Sequence, residues 1–222
     1  MKKHFNVLCK SPLFAGIAET DLSSLLNCLS ARSAAFAKDE YILSADNLIK
    51  DVGIVLSGSV NIIKEDFWGN RAILAKIHPG EMFGEAFAFA NLQKLPVSVV
   101  TSEKSEILYV DFGKITNTCS SACLFHTQLI ENILKILAHK NIMLTQKLEH
   151  IVKRTTREKL LSYLSEQAIK YGTNSFSIPF NRQELADYLS VDRSAMSNEL
   201  CKLRDEGVIE FSKNQFTLSK QN

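Results

Sequence analysis

Apolar and polar positions change rhythm twice along this chain of 222 residues. From about Ala31 to Phe112 the apolar runs are short and rich in Val and Ile: "EYILSA", "VGIVLSGSVNII", "RAILAKI", "PVSVVT" and "EILYVDF". Turn signals at "ADN", "SGS", "DFWGN" and "HPGE" separate them. Strands so closely spaced predict a small antiparallel barrel or roll, with Gly58, Gly69, Gly80 and Gly84 where the chain reverses. A short helix from Glu19 to Leu29 leads into it. Trp68, in "EDFWGNR", falls at a predicted hairpin tip; packing into the core is its simplest reading, and contact with a polymerase or with the C-terminal domain is the alternative.

From about Ser121 the period becomes helical for some thirty residues. Ile130, Leu134, Leu137, Asn141, Leu144, Leu148 and Ile151 step alternately by four and three, the seam of a two-helix coiled coil. Such a seam calls for a partner helix. Asn141 is its single polar member, and a buried asparagine pair fixes register and favours a dimer. A second stripe, Leu129, Ile133, Ile136 and Met143, is expected to cover the roll.

Beyond residue 152 helices and short strands alternate. "TTREKLLSYLSEQAIKYG" predicts a helix capped at Thr155 or Thr156 and stopped by Gly172. Asn181 and Glu184 form a capping-box pattern opening a second, short helix with Leu185, Ala186 and Leu189 inside. After a three-residue break containing Val191, Asp192 caps a third helix with Met196, Leu200 and Leu203 inside and Gly207 at its end. "FSIPF" and "VIEFSKNQFTL" supply short strands, the latter a hairpin turning at Lys213 and Asn214.

Two short helices in this relation form a helix-turn-helix, in which the first braces the second against a DNA major groove. The outer face of the second carries Arg193, Ser194, Ser197, Asn198 and Lys202. Arg and Asn can address guanine and adenine edges, and Ser reaches bases or phosphates. Arg182 and Gln183, at the N-terminus of the first helix, are placed for the phosphate backbone, as is Lys202. The expected class is α+β: an antiparallel, jelly-roll-like β-roll over residues 1–118, a dimerisation helix over 119–152 and a winged helix-turn-helix over 153–222.

Composition adds exclusions. With 45% hydrophobic and 23% charged residues the chain can bury an ordinary core. Lysine plus arginine balance aspartate plus glutamate at 15 against 15 through residue 152 and at 11 against 9 beyond it, so charge alone does not declare a nucleic-acid binder. The N-terminal apolar stretch is interrupted by Asn6, Lys10, Ser11 and Pro12, and no run approaches the roughly 20 apolar residues of a membrane span, so the expected location is cytoplasmic. Five cysteines without a C-x-x-C pair argue against disulfides and zinc ribbons. Cys119, Cys123 and His126 share one helical face and are a candidate soft-metal set or thiol sensor, with plain packing as the alternative. The predicted roll contains a single histidine, His78, and no nucleophile–base set or phosphate loop occurs, so no enzyme activity is expected.

The motifs "VLSGSVNI", "HPGEMFGE", "TTREKLLSYL" and "NRQELADYLSVDRSAMSNELCKLRDEGVI" resemble the CRP/FNR superfamily of bacterial transcription regulators over nearly the whole chain. The resemblance implies a homodimer that binds a pseudo-palindromic operator in double-stranded DNA, meets RNA polymerase and senses a small-molecule effector in its roll. It places Arg193, Ser194, Ser197 and Asn198 at base-reading positions, although a second arginine common in that face is Asn198 here. The competing reading is a ligand-binding protein whose helix-turn-helix docks protein instead of DNA.

Cyclic-nucleotide binders of that superfamily hold the ribose with a Gly-Glu pair and the cyclic phosphate with an Arg-Ser pair. Gly84 and Glu85 match the first, whereas the second falls at about Pro96 and Val97, neither of which can neutralise a phosphate. Met143 and Leu144 stand where adenine-reading Thr and Ser are expected. Lys94 is a candidate for another anion. The N-terminal cysteines of iron-sulfur members are absent, with Leu108 at their later cysteine position, and the haem ligands of another branch read as Gly84 and Ala86. Cyclic AMP, an iron-sulfur cluster and haem are therefore all disfavoured, and the effector stays unidentified.

Overall fold

A computed structural model describes residues 4–49, 51–90, 92, 94–116 and 124–219, which fall into two units. One comprises residues 1–70 and 74–140, the other 71–73 and 141–222. The first begins with α1 (Phe5–Lys10), a 3-10 turn at Pro12–Phe14, and α2 (Glu19–Cys28). Eight strands follow: β1 (Arg32–Phe36), β2 (Tyr41–Leu43), β3 (Asp51–Ser57), β4 (Val60–Glu65), β5 (Arg71–Ile77), β6 (Met82–Phe83), β7 (Ser98–Thr101) and β8 (Ser105–Asp111). A short α3 (Glu85–Phe89) separates β6 from β7, and α4 (Phe112–Thr116) precedes the long α5 (Leu124–Ile151). The expected strands and the lead-in helix are present; α1, β1 and the two-residue β6 had no distinct signal.

Two four-stranded sheets, in orders β1-β8-β3-β6 and β2-β7-β4-β5, form the roll. Alternation along β3 divides its side chains between two cores, because successive residues of a strand point to opposite faces. Val52, Ile54 and Leu56 join Leu108 and Val110 of β8 in a core completed by α1, α2 and Leu129 and Ile133 of α5. Val55 faces the other way, with Ile107, Tyr109, Phe83 and Val99, between the sheets. Both faces of β3 are thus buried, which is why it reads as an unbroken apolar run. Gly53 must be glycine for a packing reason: a Cβ there would lie 2.2 Å from the ring of Phe83, its partner across the β3–β6 pair.

Of the second stripe, Leu129 and Ile133 are buried and Ile136 packs against them, but Met143 is exposed. Trp68 also departs from expectation. It lies in the β4–β5 turn, as predicted, yet is 81% exposed, with its ring edge-on to Phe67, so it takes no part in the core.

In the second unit α6 (Thr156–Tyr171), β9 (Ser175–Ser177), α7 (Arg182–Leu189), α8 (Arg193–Asp205), β10 (Ile209–Ser212) and β11 (Gln215–Leu218) realise three helices and a wing of order β10-β11-β9. Capping boxes open α6, between Thr155 and Glu158, and α7, between Asn181 and Glu184. Asp192 accepts from the Ala195 amide at 2.7 Å to start α8. Each cap satisfies amides that a helix start leaves without intrahelical partners.

Candidate nucleic-acid interface and sensor pocket

The brace beneath α8 is built as the spacing required. Leu185, Ala186 and Leu189 of α7 and Met196, Leu200 and Leu203 of α8 are all essentially inaccessible to solvent. Between the helices Ser190 adopts a left-handed conformation (φ 53°) as the C-cap of α7, and the amide of half-buried Val191 donates to the Ala186 carbonyl at 3.0 Å. Arg157 of α6 donates to Glu199 (3.2 Å) and Glu206 (3.0 Å), tying α6 to α8; the two carboxylates raise the pKa of its guanidinium.

That packing leaves Arg193, Ser194, Asn198 and Lys202 exposed on one flank of α8, with Ser197 half-buried among them. Arg193 has no ion-pair partner among the described residues, so its charge is available. Lys202 lies 3.6 Å from Glu199, and Gln183 donates to Asp187 at 2.8 Å.

Arg182, at the start of α7, packs against the wing. Its guanidinium lies 4.9 Å and 5.0 Å from the ring centroids of Phe211 and Phe216 on β10 and β11, half-buried, and burial lowers its pKa. Cation–π attraction to two rings accounts for that pose. Arg182 fastens the wing to α7.

The exposed apolar surface of α5 includes seam residues together with Ile142 and Met143, which lie outside the seam. Leu134, Leu144 and Leu148 are 62%, 57% and 54% exposed, and Ile130 and Asn141 are also exposed. Leu137 is partly buried against the roll core, and Ile151 is half-buried.

In the sensor, Gly84 takes φ 86° as the N-cap of α3 and delivers Glu85 to the interior. The Glu85 side chain is 3% exposed, and its Oε1 accepts from Lys140 Nζ of α5 at 2.8 Å; the same ammonium donates to the Met82 carbonyl at 2.5 Å. Glu85 Oε2 is buried without a hydrogen-bond partner among the described residues. Lys140 was not anticipated. Its signal was nonetheless present, since it continues the stripe of Ile133 and Ile136 by four residues, a charge on an apolar face.

The other expected pocket residues differ in exposure. Lys94 sits in an exposed loop 3.9 Å from Asp46; Val97 is buried, Pro96 is exposed, and Met143 and Leu144 are both exposed. The residues present do not fit a cyclic phosphate, because the Pro96–Val97 step offers neither cation nor hydroxyl and the matching carboxylate already holds an ammonium. Cys119 and Cys123 lie outside the described residues. His126 is buried, with Nε2 3.1 Å from the Lys114 carbonyl. Among the described residues no group of three or more His, Cys, Asp or Glu side chains could hold a metal, and no helix is long and apolar enough to cross a membrane.

Two domain families match the chain. Residues 34–122 match the cyclic nucleotide-binding domain family and residues 158–220 the Crp-like helix-turn-helix domain family. The nitrogen fixation regulation protein FixK of Azorhizobium caulinodans is 26% identical over 189 residues, covering 79% of this chain and 70% of that protein. The structure of FixK2 from Bradyrhizobium japonicum superposes with a TM-score of 0.66 at 20% identity, over 86% of this chain and 93% of that one. CLP of Xanthomonas campestris, described as a c-di-GMP-responsive global regulator, gives 0.75 at 17% identity, over 92% and 100%. At such identities the two structures establish the fold alone.

Proposed function

Because the chain belongs to the CRP/FNR superfamily of transcription regulators, we propose that it acts as a homodimer reading a pseudo-palindromic DNA operator. The observation carrying this reading is the flank of Arg193, Ser194, Asn198 and Lys202, turned to solvent by an inaccessible apolar brace. Arg193 and Asn198, with Ser194 and Ser197, address base edges, and Gln183 and Lys202 address phosphates. The exposed apolar side chains of α5 supply the pairing surface: Leu134, Ile142, Leu144 and Leu148, four large apolar side chains left more than half in water on one helix, are expected to be covered by a second copy. Pairing along α5 sets the two recognition helices about 34 Å apart, one turn of B-form DNA.

An event in the sensor unit then changes transcription by favouring one dimer arrangement over another, through contact with RNA polymerase or by blocking its access. Repeated selection from a random duplex pool, with sedimentation of the protein alone and with the selected duplex, tests this. Enrichment of an inverted repeat bound by two chains is expected. A monomer, or a pool without enrichment, refutes it.

A further inference from the structure

A buried carboxylate is tolerated when a cation pairs with it, and in this sensor the cation belongs to the chain itself. Lys140 Nζ donates to Glu85 Oε1 at 2.8 Å and to the Met82 carbonyl at 2.5 Å, so one ammonium joins β6, α3 and α5. The geometry fixes more than charge. With Lys140 pinned inward beside Ile133 and Ile136, the adjoining face of α5 carries Leu134 outward, with Leu144 and Leu148 exposed further along the same continuous helix. In the rotation of α5 that makes the ion pair, Leu134 of the seam faces solvent while Leu137 packs partly against the roll core. Lys140 stands one residue before Asn141 of the seam. Nothing at Pro96 or Val97 offers an external anion a charged partner, whereas a tethered ammonium acts at a high effective concentration whenever the chain is folded.

We propose that Lys140 is a built-in substitute for a small-molecule effector: its ammonium occupies the sensor carboxylate and clamps α5 in the orientation competent for pairing and DNA binding, without a ligand. This rests on the DNA-binding dimer reading above. A ligand shifts a two-state protein only by its differential affinity for the states, and an internal contact made in one state alone biases it in the same manner. The free Glu85 Oε2 leaves the pair one unused acceptor.

The test uses the full-length protein, shown by native mass spectrometry to carry no bound small molecule, and a duplex selected from a random pool. Wild type is expected to bind that duplex tightly, changing less than twofold with cyclic AMP, cyclic GMP or cyclic di-GMP. Lys140→Met is expected to lose at least tenfold in affinity and to speed hydrogen exchange at residues 82–90 at least tenfold. The double variant Lys140→Met/Glu85→Gln leaves no unpaired buried charge and guards against misfolding; it should lose DNA affinity likewise, whereas exchanging the charges (Lys140→Glu/Glu85→Lys) should recover part of it. The clamp is overturned if the neutral double variant binds within twofold of wild type, or if any of the three nucleotides raises wild-type affinity tenfold. A wild type that enriches no duplex overturns the DNA-binding reading itself, and the regulatory role of the clamp with it; unchanged exchange in Lys140→Met overturns the clamp whatever the DNA result.

Discussion

The ammonium of Lys147, near the end of α5, lies 4.5 Å from the ring centroid of Tyr188 on α7. Burial draws its pKa from 10.5 down to about 8, and the same packing pushes the Tyr188 hydroxyl up to about 12. A lysine with a lowered folded pKa is held less tightly protonated in the native state, so between about pH 8 and 10 the unfolded chain binds more protons and stability rises with pH. The Lys147 contribution should amount to about 1–2 kcal/mol over that window, and above pH 10 ionisation of tyrosines in the unfolded chain should reverse it. Urea denaturation at pH 7.5 and 9.5 checks this: wild type should gain relative to Lys147→Met, and parallel curves for the two proteins contradict the assignment.

Gly53→Ala should destabilise the sensor unit by about 1–3 kcal/mol, because the new methyl enters the space of a fully buried Phe83 ring. Thermal unfolding of Gly53→Ala and of Gly53→Ala/Phe83→Leu measures it. The second substitution should recover part of the loss, since a smaller side chain vacates the contact.

Arg182→Ala should cost the helix-turn-helix unit about 1 kcal/mol through loss of its two ring contacts and should accelerate hydrogen exchange in residues 209–218. A residue that only met phosphate would leave the stability of free protein untouched. Unchanged exchange in the wing would return Arg182 to the DNA backbone.

Asn198→Ala should relax discrimination at one base pair by about 1–3 kcal/mol, whereas Lys202→Ala should weaken all sequences alike and lower the salt slope by about one. Both side chains are exposed on α8 and neither supports the core, so folding should be unaffected. Binding to the selected operator and to its single-base variants at several salt concentrations separates the two. Identical behaviour of the two variants would mean that the flank does not read bases.

Much of the architecture was legible because it rests on local rules. The caps at Thr155, Asn181 and Asp192, the stop at Gly172 and the step of the α5 seam follow from hydrogen-bond needs and helical period within a few residues of chain. What escaped notice depends on partners far apart in sequence. Trp68 reads as core by composition, but only the folded hairpin shows it 81% exposed.

The sequence by itself determined the succession of strands, seam helix and helix-turn-helix, since periodicity and capping act between neighbours and need no knowledge of the remainder of the fold. Only the tertiary structure decided that Arg182 packs on the rings of the wing and that Lys140 answers Glu85 across 55 residues. A charged side chain takes whichever partner the fold brings within reach, and the free energy of leaving it buried and unpaired, set by the surroundings, chooses among them.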